Sequence, residues 1–147
     1  MQRKAACLIV SALVFSFTGV KSYAETPPHI DGAKTVTAEE AYKLQKEGAT
    51  IIDARKKIEY AESHIKGAVL VSYMGRTENK PDFELGHYKE LEQKFPDKNA
   101  KYVFYCNGVK CWKSFKAVKE AVHMGYKHVY WLRTGLPAWK EAGYPVE

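Results

Sequence analysis

The chain has no apolar run long enough to span a bilayer comfortably: its one long stretch, Ala5 to Val20, falls short of the roughly 20 residues a transmembrane helix needs. It has no internal repeat and no low-complexity segment, which excludes solenoid and array architectures. Lysine and arginine never gather into a long run, and the charges of both signs are interspersed as on an ordinary solvated surface, so no nucleic-acid partner is expected. Cysteine is scarce, with Cys7, Cys106 and Cys111 the only three. Two loop cysteines and scattered histidines match no common zinc spacing, and there is no C-x-x-C-H haem attachment. No metal and no cofactor are expected.

The apolar run is instead part of an export signal. Arg3 and Lys4 precede it, and Ser22-Tyr-Ala24 supplies small residues at the two positions a signal peptidase reads. The expected organisation is a cleaved signal over residues 1–24, an extended leader over 25–34 and one domain over 35–147. The destination is then outside the cytoplasm, in the periplasm, with no membrane attachment after cleavage. Cys7 lies before the apolar run, does not suit a lipid-modified cleavage site, and leaves with the signal. Removal of 24 from the 147 residues leaves 123, enough for one core and too few for two. Loss of Arg3, Lys4 and Lys21 lowers the net charge from +6 to +3.

The remaining chain alternates short apolar runs with helical patterns. Thr37-Ala-Glu-Glu40 matches a capping box, and Ala38, Ala41 and Leu44 share a face of the helix that follows until Gly48. Short strands are expected at Thr35-Val36, Thr50 to Asp53, Ala68 to Val71, Tyr102 to Tyr105 and His128 to Leu132. Helices are expected from about Phe83 to Lys94, from Trp112 to His123, and from Leu136 to Ala142, with a charged helical turn over Lys56 to Glu62. Apolar runs of this length between helices indicate an α/β fold with a parallel sheet of about five strands covered on both faces. Ligands sit at the carboxyl ends of such strands, where Asp53, Cys106 and Arg133 all lie.

Cys106 ends the most apolar of these strands and stands in a short loop before a helix N-terminus. Backbone N–H groups without intrahelical partners converge there, and the helix dipole favours negative charge, so a thiolate is stabilised. Cys106 is therefore a candidate nucleophile. Cys111 follows it at C-x4-C spacing. A disulfide is the default for two cysteines in an exported protein, but a stable structural bridge is disfavoured, because a loop this short gains least from cross-linking and the domain needs no staple. Two readings of Cys111 stay open: a resolving or persulfide-sharing thiol, or a small buried loop residue.

Four segments, in order from about Val36 to Val146, resemble the rhodanese (sulfurtransferase) family: Ile51-Ile-Asp-Ala-Arg55; Glu59-Tyr60 with His64-Ile-Lys-Gly-Ala68; Tyr105-Cys-Asn-Gly; and Gly135-Leu-Pro-Ala-Trp-Lys-Glu-Ala-Gly-Tyr-Pro-Val146. The resemblance implies a sulfurtransferase that carries a sulfane sulfur from thiosulfate or a related anionic donor to a thiol or cyanide through a persulfide on Cys106. The amides of Asn107, Gly108, Val109, Lys110, Cys111 and Trp112 would cradle the anion and the persulfide. Gly108 suits a crowded or left-handed backbone, and Lys110 and Lys113 flank the loop. Asp53, Arg55 and His64 are expected to support the site structurally. Trp131 and Trp139 are expected in the core and Trp112 at the pocket mouth.

The sequence departs from the family where Arg or Ser often stands five residues after the nucleophile: here that residue is Cys111, followed by Trp112. Cys-Trp resembles a subset of exported relatives labelled C-x-x-C-W, whose cysteine spacing differs. The rhodanese-fold phosphatases need a longer loop closed by an arginine, and Trp112 occupies that place. Besides the sulfurtransferase, two alternatives are carried: a persulfide carrier serving a sulfur-accepting partner protein, and a thiol redox protein cycling a Cys106–Cys111 disulfide.

Overall fold

Alternate residues along the central strands go to opposite faces of one sheet, and this is what the apolar runs encode. The computed structural model describes residues 25–147; the signal peptide expected over 1–24 lies outside them. Five strands, β1 (Ala33–Thr35), β2 (Thr50–Asp53), β3 (Val69–Leu70), β4 (Lys101–Tyr105) and β5 (His128–Leu132), form a sheet of order β1-β5-β4-β2-β3. Every pairing is parallel. The register sets Ile52, Phe104 and Trp131 in one row across the sheet and Asp53, Tyr105 and Leu132 in the next. Because side chains alternate along a strand, the two rows point to opposite sides.

Each face carries its own core. Ile52, Phe104 and Trp131 pack with Phe115, Ala117, Val118 and Ala121 of α4 (Trp112–His123) and with Leu91 of α3 (Lys89–Lys94). On the other face, Ile51, Val103, Tyr105 and Leu132 pack with Ala38 and Ala41 of α1 (Ala38–Lys46) and with Leu136 and Trp139 of α5 (Gly135–Glu141). A short helix, α2 (Lys57–Glu62), lies between β2 and β3 in the chain. The expected α/β sheet with helices on both faces is what is observed.

Several boundaries differ from expectation. The Thr37/Glu40 capping box is present, with each side chain accepting from the other's backbone. The helix expected from Phe83 shrinks to α3, because Gly86 donates its N–H to Glu120 of α4 and Phe83 and Tyr88 turn into the core, while Leu85 stays exposed. Local spacing at 85, 88 and 91 imitated a helical face that tertiary bonds override. The edge strand β1 starts at Ala33, so the sheet begins inside the segment assigned to the leader. The leader is also more than a surface strip, since Thr26 and Ile30 are buried.

The polar segment 72–82 is held against α4 by a row of lysines. Lys113 Nζ donates to Tyr73 O at 2.8 Å, Lys116 Nζ to Thr77 O at 2.6 Å and Lys119 Nζ to Pro81 O at 2.6 Å. Spacing of three residues puts the lysines on one helix face. Their stems cover apolar surface, with Lys116 and Lys119 over the Phe83 ring.

Candidate active site

The site is built at the carboxyl ends of β2, β4 and β5, where three strand ends, two helix N-termini and the leader meet. Cys106 is the first residue after β4 and is completely buried. The chain then folds back: Gly108 takes φ +126°, a value side chains rarely adopt, and the Cys111 N–H donates to Gly108 O at 2.9 Å. That turn brings the Cys106 and Cys111 Cα atoms to 6.3 Å, within the span of a disulfide, and the two residues are disulfide-bonded. The expectation of unbridged cysteines is therefore corrected. Loop-closure entropy argued against a staple, but the turn at Gly108 sets the two Cα atoms at bridging distance. Cys111 is partly exposed, whereas Cys106 is not.

The amides of Asn107, Gly108, Val109 and Lys110 make no hydrogen bond among the described residues, so they remain able to bind an anion. The Cys111 amide does not, since the turn engages it; the expected six-residue cradle is smaller. Trp112, expected at the pocket mouth, is instead buried in the core edge-on to Phe115, with ring centroids 5.1 Å apart. As the first residue of α4 it points toward the sheet face that the helix covers. Trp131 and Trp139 are buried as expected.

A buried ion pair fixes the β2 end beside the loop. Arg55 donates through Nε and Nη2 to both Asp53 carboxylate oxygens, and through Nη2 also to Ser63 O at 2.8 Å. Tyr105 OH donates to the same carboxylate at 2.5 Å. Burial opposes the Arg55 charge, but the Asp53 carboxylate outweighs it and holds the guanidinium above its usual range. Burial first, and then the adjacent Asp53 charge, push the Tyr105 hydroxyl well up, so it stays a donor. Arg55 Nη1 reaches the loop itself, donating to Asn107 Oδ1 at 3.3 Å, and the Asn107 amide donates to Glu59 Oε1 at 2.5 Å. Burial raises the Glu59 pKa, but the Asn107 amide, the Lys56 N–H and the Arg55 and Lys56 charges together hold it below the carboxylate range.

The other named residues separate. His64 stacks on Tyr60, sets Nδ1 2.8 Å from Tyr60 O and lies 3.4 Å from Glu147, in a bridge between residues 64–66 and the C-terminus; none of its contacts is with Cys106. Lys110 is exposed. Lys113 is tethered to Tyr73 O, and burial, then the Lys56 charge, pull its pKa below the usual lysine range. Arg133 is engaged by the leader: it donates to Thr26 O at 2.5 Å and to Thr26 Oγ1 at 3.2 Å. Thr26 in turn donates its N–H and Oγ1 to Val109 O, at 2.8 and 2.9 Å, so the leader grips the active loop from outside.

Sequence reasoning passed over Glu59, Thr26, Ser114 and the structural part played by Gly135. Ser114 Oγ lies 3.1 Å from Cys106 Sγ. Gly135, the first residue of α5, has φ +66°, and a Cβ there would stand 2.2 Å from Cys106 O and 2.6 Å from Gly108 N. The Leu136 N–H donates to that same Cys106 O at 3.0 Å. The positive φ and the close approach of two backbones explain why only glycine fits.

The structure is thus a doubly covered parallel α/β sheet with a buried cysteine at a strand end, on a loop of unpartnered amides before a helix. The family profile for the rhodanese-like domain matches residues 37–142, and the chain belongs to that family. The thiosulfate sulfurtransferase GlpE of Haemophilus influenzae is 26% identical over 116 residues, covering 78% of this chain and 94% of the relative. The rhodanese-like domain of a protein from Anabaena sp. is 28% identical, with a TM-score of 0.52 over 74% of this chain and 96% of that one. A Rhodopseudomonas palustris protein of unknown function, described as a possible tyrosine phosphatase, is 30% identical, with a TM-score of 0.56 over 78% of this chain and 85% of that one.

Proposed function

We propose that this chain is an exported, periplasmic sulfurtransferase in which Cys106 carries the sulfur as a persulfide. The observation that carries the reading is the placement of the buried Cys106 sulfur beside the loop whose 107–110 amides are unpartnered. Such amides, with the α4 N-terminus behind them, favour a thiolate and an anionic donor. Membership of a family that includes a thiosulfate sulfurtransferase supports the same chemistry.

The cycle starts from the reduced pair, which a dithiol reductant supplies. The Cys106 thiolate attacks the outer sulfur of thiosulfate, the S–S bond of the donor breaks, and sulfite leaves with the electron pair. The persulfide on Cys106 is then attacked at its outer sulfur by a thiol or cyanide, which takes that sulfur and restores the thiolate. Arg55 and Asn107 hold the loop in place during both steps. No general base is needed once the thiolate is formed.

The Cys106–Cys111 bond supports a second reading in which Cys111 resolves the persulfide: its thiolate attacks Cys106 Sγ, hydrosulfide leaves, and the disulfide closes. The same pair serves a thiol redox protein, and a carrier would hold the persulfide for a sulfur-accepting partner protein. A phosphatase reading lacks its clamp, because no arginine lies between Cys106 and Ser114 to bind phosphate bidentately. The test is thiosulfate-to-cyanide sulfur transfer by the reduced protein. Cys106→Ser abolishes it on this reading, and retained activity in that variant overturns the mechanism. Activity that survives Cys111→Ala separates the sulfurtransferase from the obligate dithiol readings.

A further inference from the structure

Ser114 is almost completely buried and sits in the first turn of α4, where its hydroxyl has two neighbours. Cys106 Sγ is 3.1 Å away and Trp131 Nε1 is 3.0 Å away. An indole N–H only donates, so the Ser114 oxygen accepts from Trp131. Cys106 Sγ, bonded to Cys111, has no hydrogen to give. The single Ser114 proton is therefore directed at the sulfur, and no bond from this hydroxyl to a helix carbonyl competes among the described residues. The order of donation, Trp131 to Ser114 to Cys106, follows from the valences alone. It is also imposed by the fold, because Trp131 lies on the sheet face covered by α4 and Cys106 follows β4, the strand next to β5.

We propose that Ser114 is a catalytic hydrogen-bond donor to the Cys106 sulfur, with Trp131 the positioning residue that aligns its hydroxyl. A hydrogen bond to a charged acceptor is stronger than one to a neutral acceptor, so the contact favours thiolate over thiol and makes Cys106 a better leaving group. The role applies at three points. The donor holds the attacking thiolate, and it receives the thiolate again when an acceptor removes the outer sulfur. It also directs reduction of the disulfide. Cys111 is partly exposed and Cys106 is not, so a reductant thiolate attacks the Cys111 sulfur; the S–S bond breaks, its electron pair leaves on Cys106, and Cys111 forms the mixed disulfide. The second thiol of the dithiol reductant then frees Cys111.

The catalytic consequence rests on the sulfurtransferase reading, whereas the effect on the thiol does not. The test measures the rate of iodoacetamide alkylation at Cys106 against pH in the reduced full-length chain. It is read on the tryptic peptide that ends at Lys110, which separates Cys106 from Cys7 and Cys111. In Ser114→Ala the rate below the thiol pKa falls about tenfold while the high-pH plateau is unchanged, as an upward pKa shift requires. In Trp131→Phe the same limb falls about threefold, since the hydroxyl is kept but no longer aligned. A Ser114→Ala profile that superimposes on the parent overturns the proposal. So does a loss equal at every pH, which marks a packing role. A parent-like profile for Trp131→Phe overturns the alignment by Trp131. Shifted profiles in a protein that moves no sulfur leave this inference standing and remove the sulfurtransferase reading; parent-like profiles with intact transfer do the reverse.

Discussion

Replacement of Gly135 by alanine tests whether the α5 N-terminus shapes the active loop. The added Cβ would stand 2.2 Å from Cys106 O and 2.6 Å from Gly108 N, both backbone atoms of the loop. Neither can swing aside as a side-chain tip does. The left-handed φ of +66° adds roughly 1–2 kcal/mol for any residue with a Cβ. Relief of the overlap requires α5 and the loop to part, and overpacking of this kind costs about 1–3 kcal/mol. The total of about 2–5 kcal/mol lowers the melting temperature of a domain this size by roughly 8–20 °C. Gly108→Ala is the internal control. Its φ of +126° is unfavourable for alanine, but its Cβ would approach nothing nearer than Thr134 O at 3.6 Å. It is expected to lose only the local strain, about 1–3 kcal/mol. Differential scanning calorimetry reads the stability, and Cys106 alkylation after reduction reads the loop. A Gly135→Ala protein that melts with the parent and alkylates at the parent rate refutes the claim that the two backbones constrain each other.

Three further outcomes follow from other contacts. Arg55→Ala leaves the Asp53 carboxylate buried without its partner and is expected to cost about 3–5 kcal/mol in chemical denaturation; a loss under ~1 kcal/mol would show that the pair is dispensable. The folded pKa of Glu59 is depressed, so its stabilising contribution is present above the ordinary carboxylate pKa and lost as pH falls through the folded value. The melting-temperature difference between parent and Glu59→Gln should thus be constant above about pH 5 and close below about pH 4, and a difference that persists unchanged in acid contradicts the assignment. Arg133→Ala releases Thr26, and with it the outer grip on Val109 O; exchange of the Cys111 amide, which donates to Gly108 O, should then accelerate, while exchange in β4 stays as in the parent.

What the sequence disclosed was whatever depends on local pattern. The apolar runs at 50–53, 102–105 and 128–132 announced the sheet, and the capping box at Thr37 placed α1, because strand alternation and helix caps are written in neighbouring residues. Cys106 at the end of β4 and Asp53 at the end of β2 were legible for the same reason. What escaped notice depends on contacts between distant segments. Ser114 looked like an ordinary helix residue until the sheet set Trp131 behind it. Thr26 looked like leader, although it is bonded to the loop 83 residues away. Lys113 was read only as flanking the loop and Lys116 and Lys119 not at all, yet each of the three donates to a carbonyl of the 72–82 segment. The helix expected from Phe83 and the outward Trp112 failed where tertiary packing outweighed spacing. The disulfide was argued against on loop length and on the domain's needing no staple, neither of which registers that the turn at Gly108 brings the two cysteines together.

The account stands on a sulfur-carrying Cys106, and the intact mass of the reduced protein after incubation with thiosulfate reads that directly. The expected spectrum shows the gain of one sulfur atom, located on the peptide containing Cys106, absent from Cys106→Ser and removed by cyanide. An unchanged mass, or a mass lower by two hydrogens with the Cys106–Cys111 bond re-formed and no sulfur delivered to any acceptor, contradicts it.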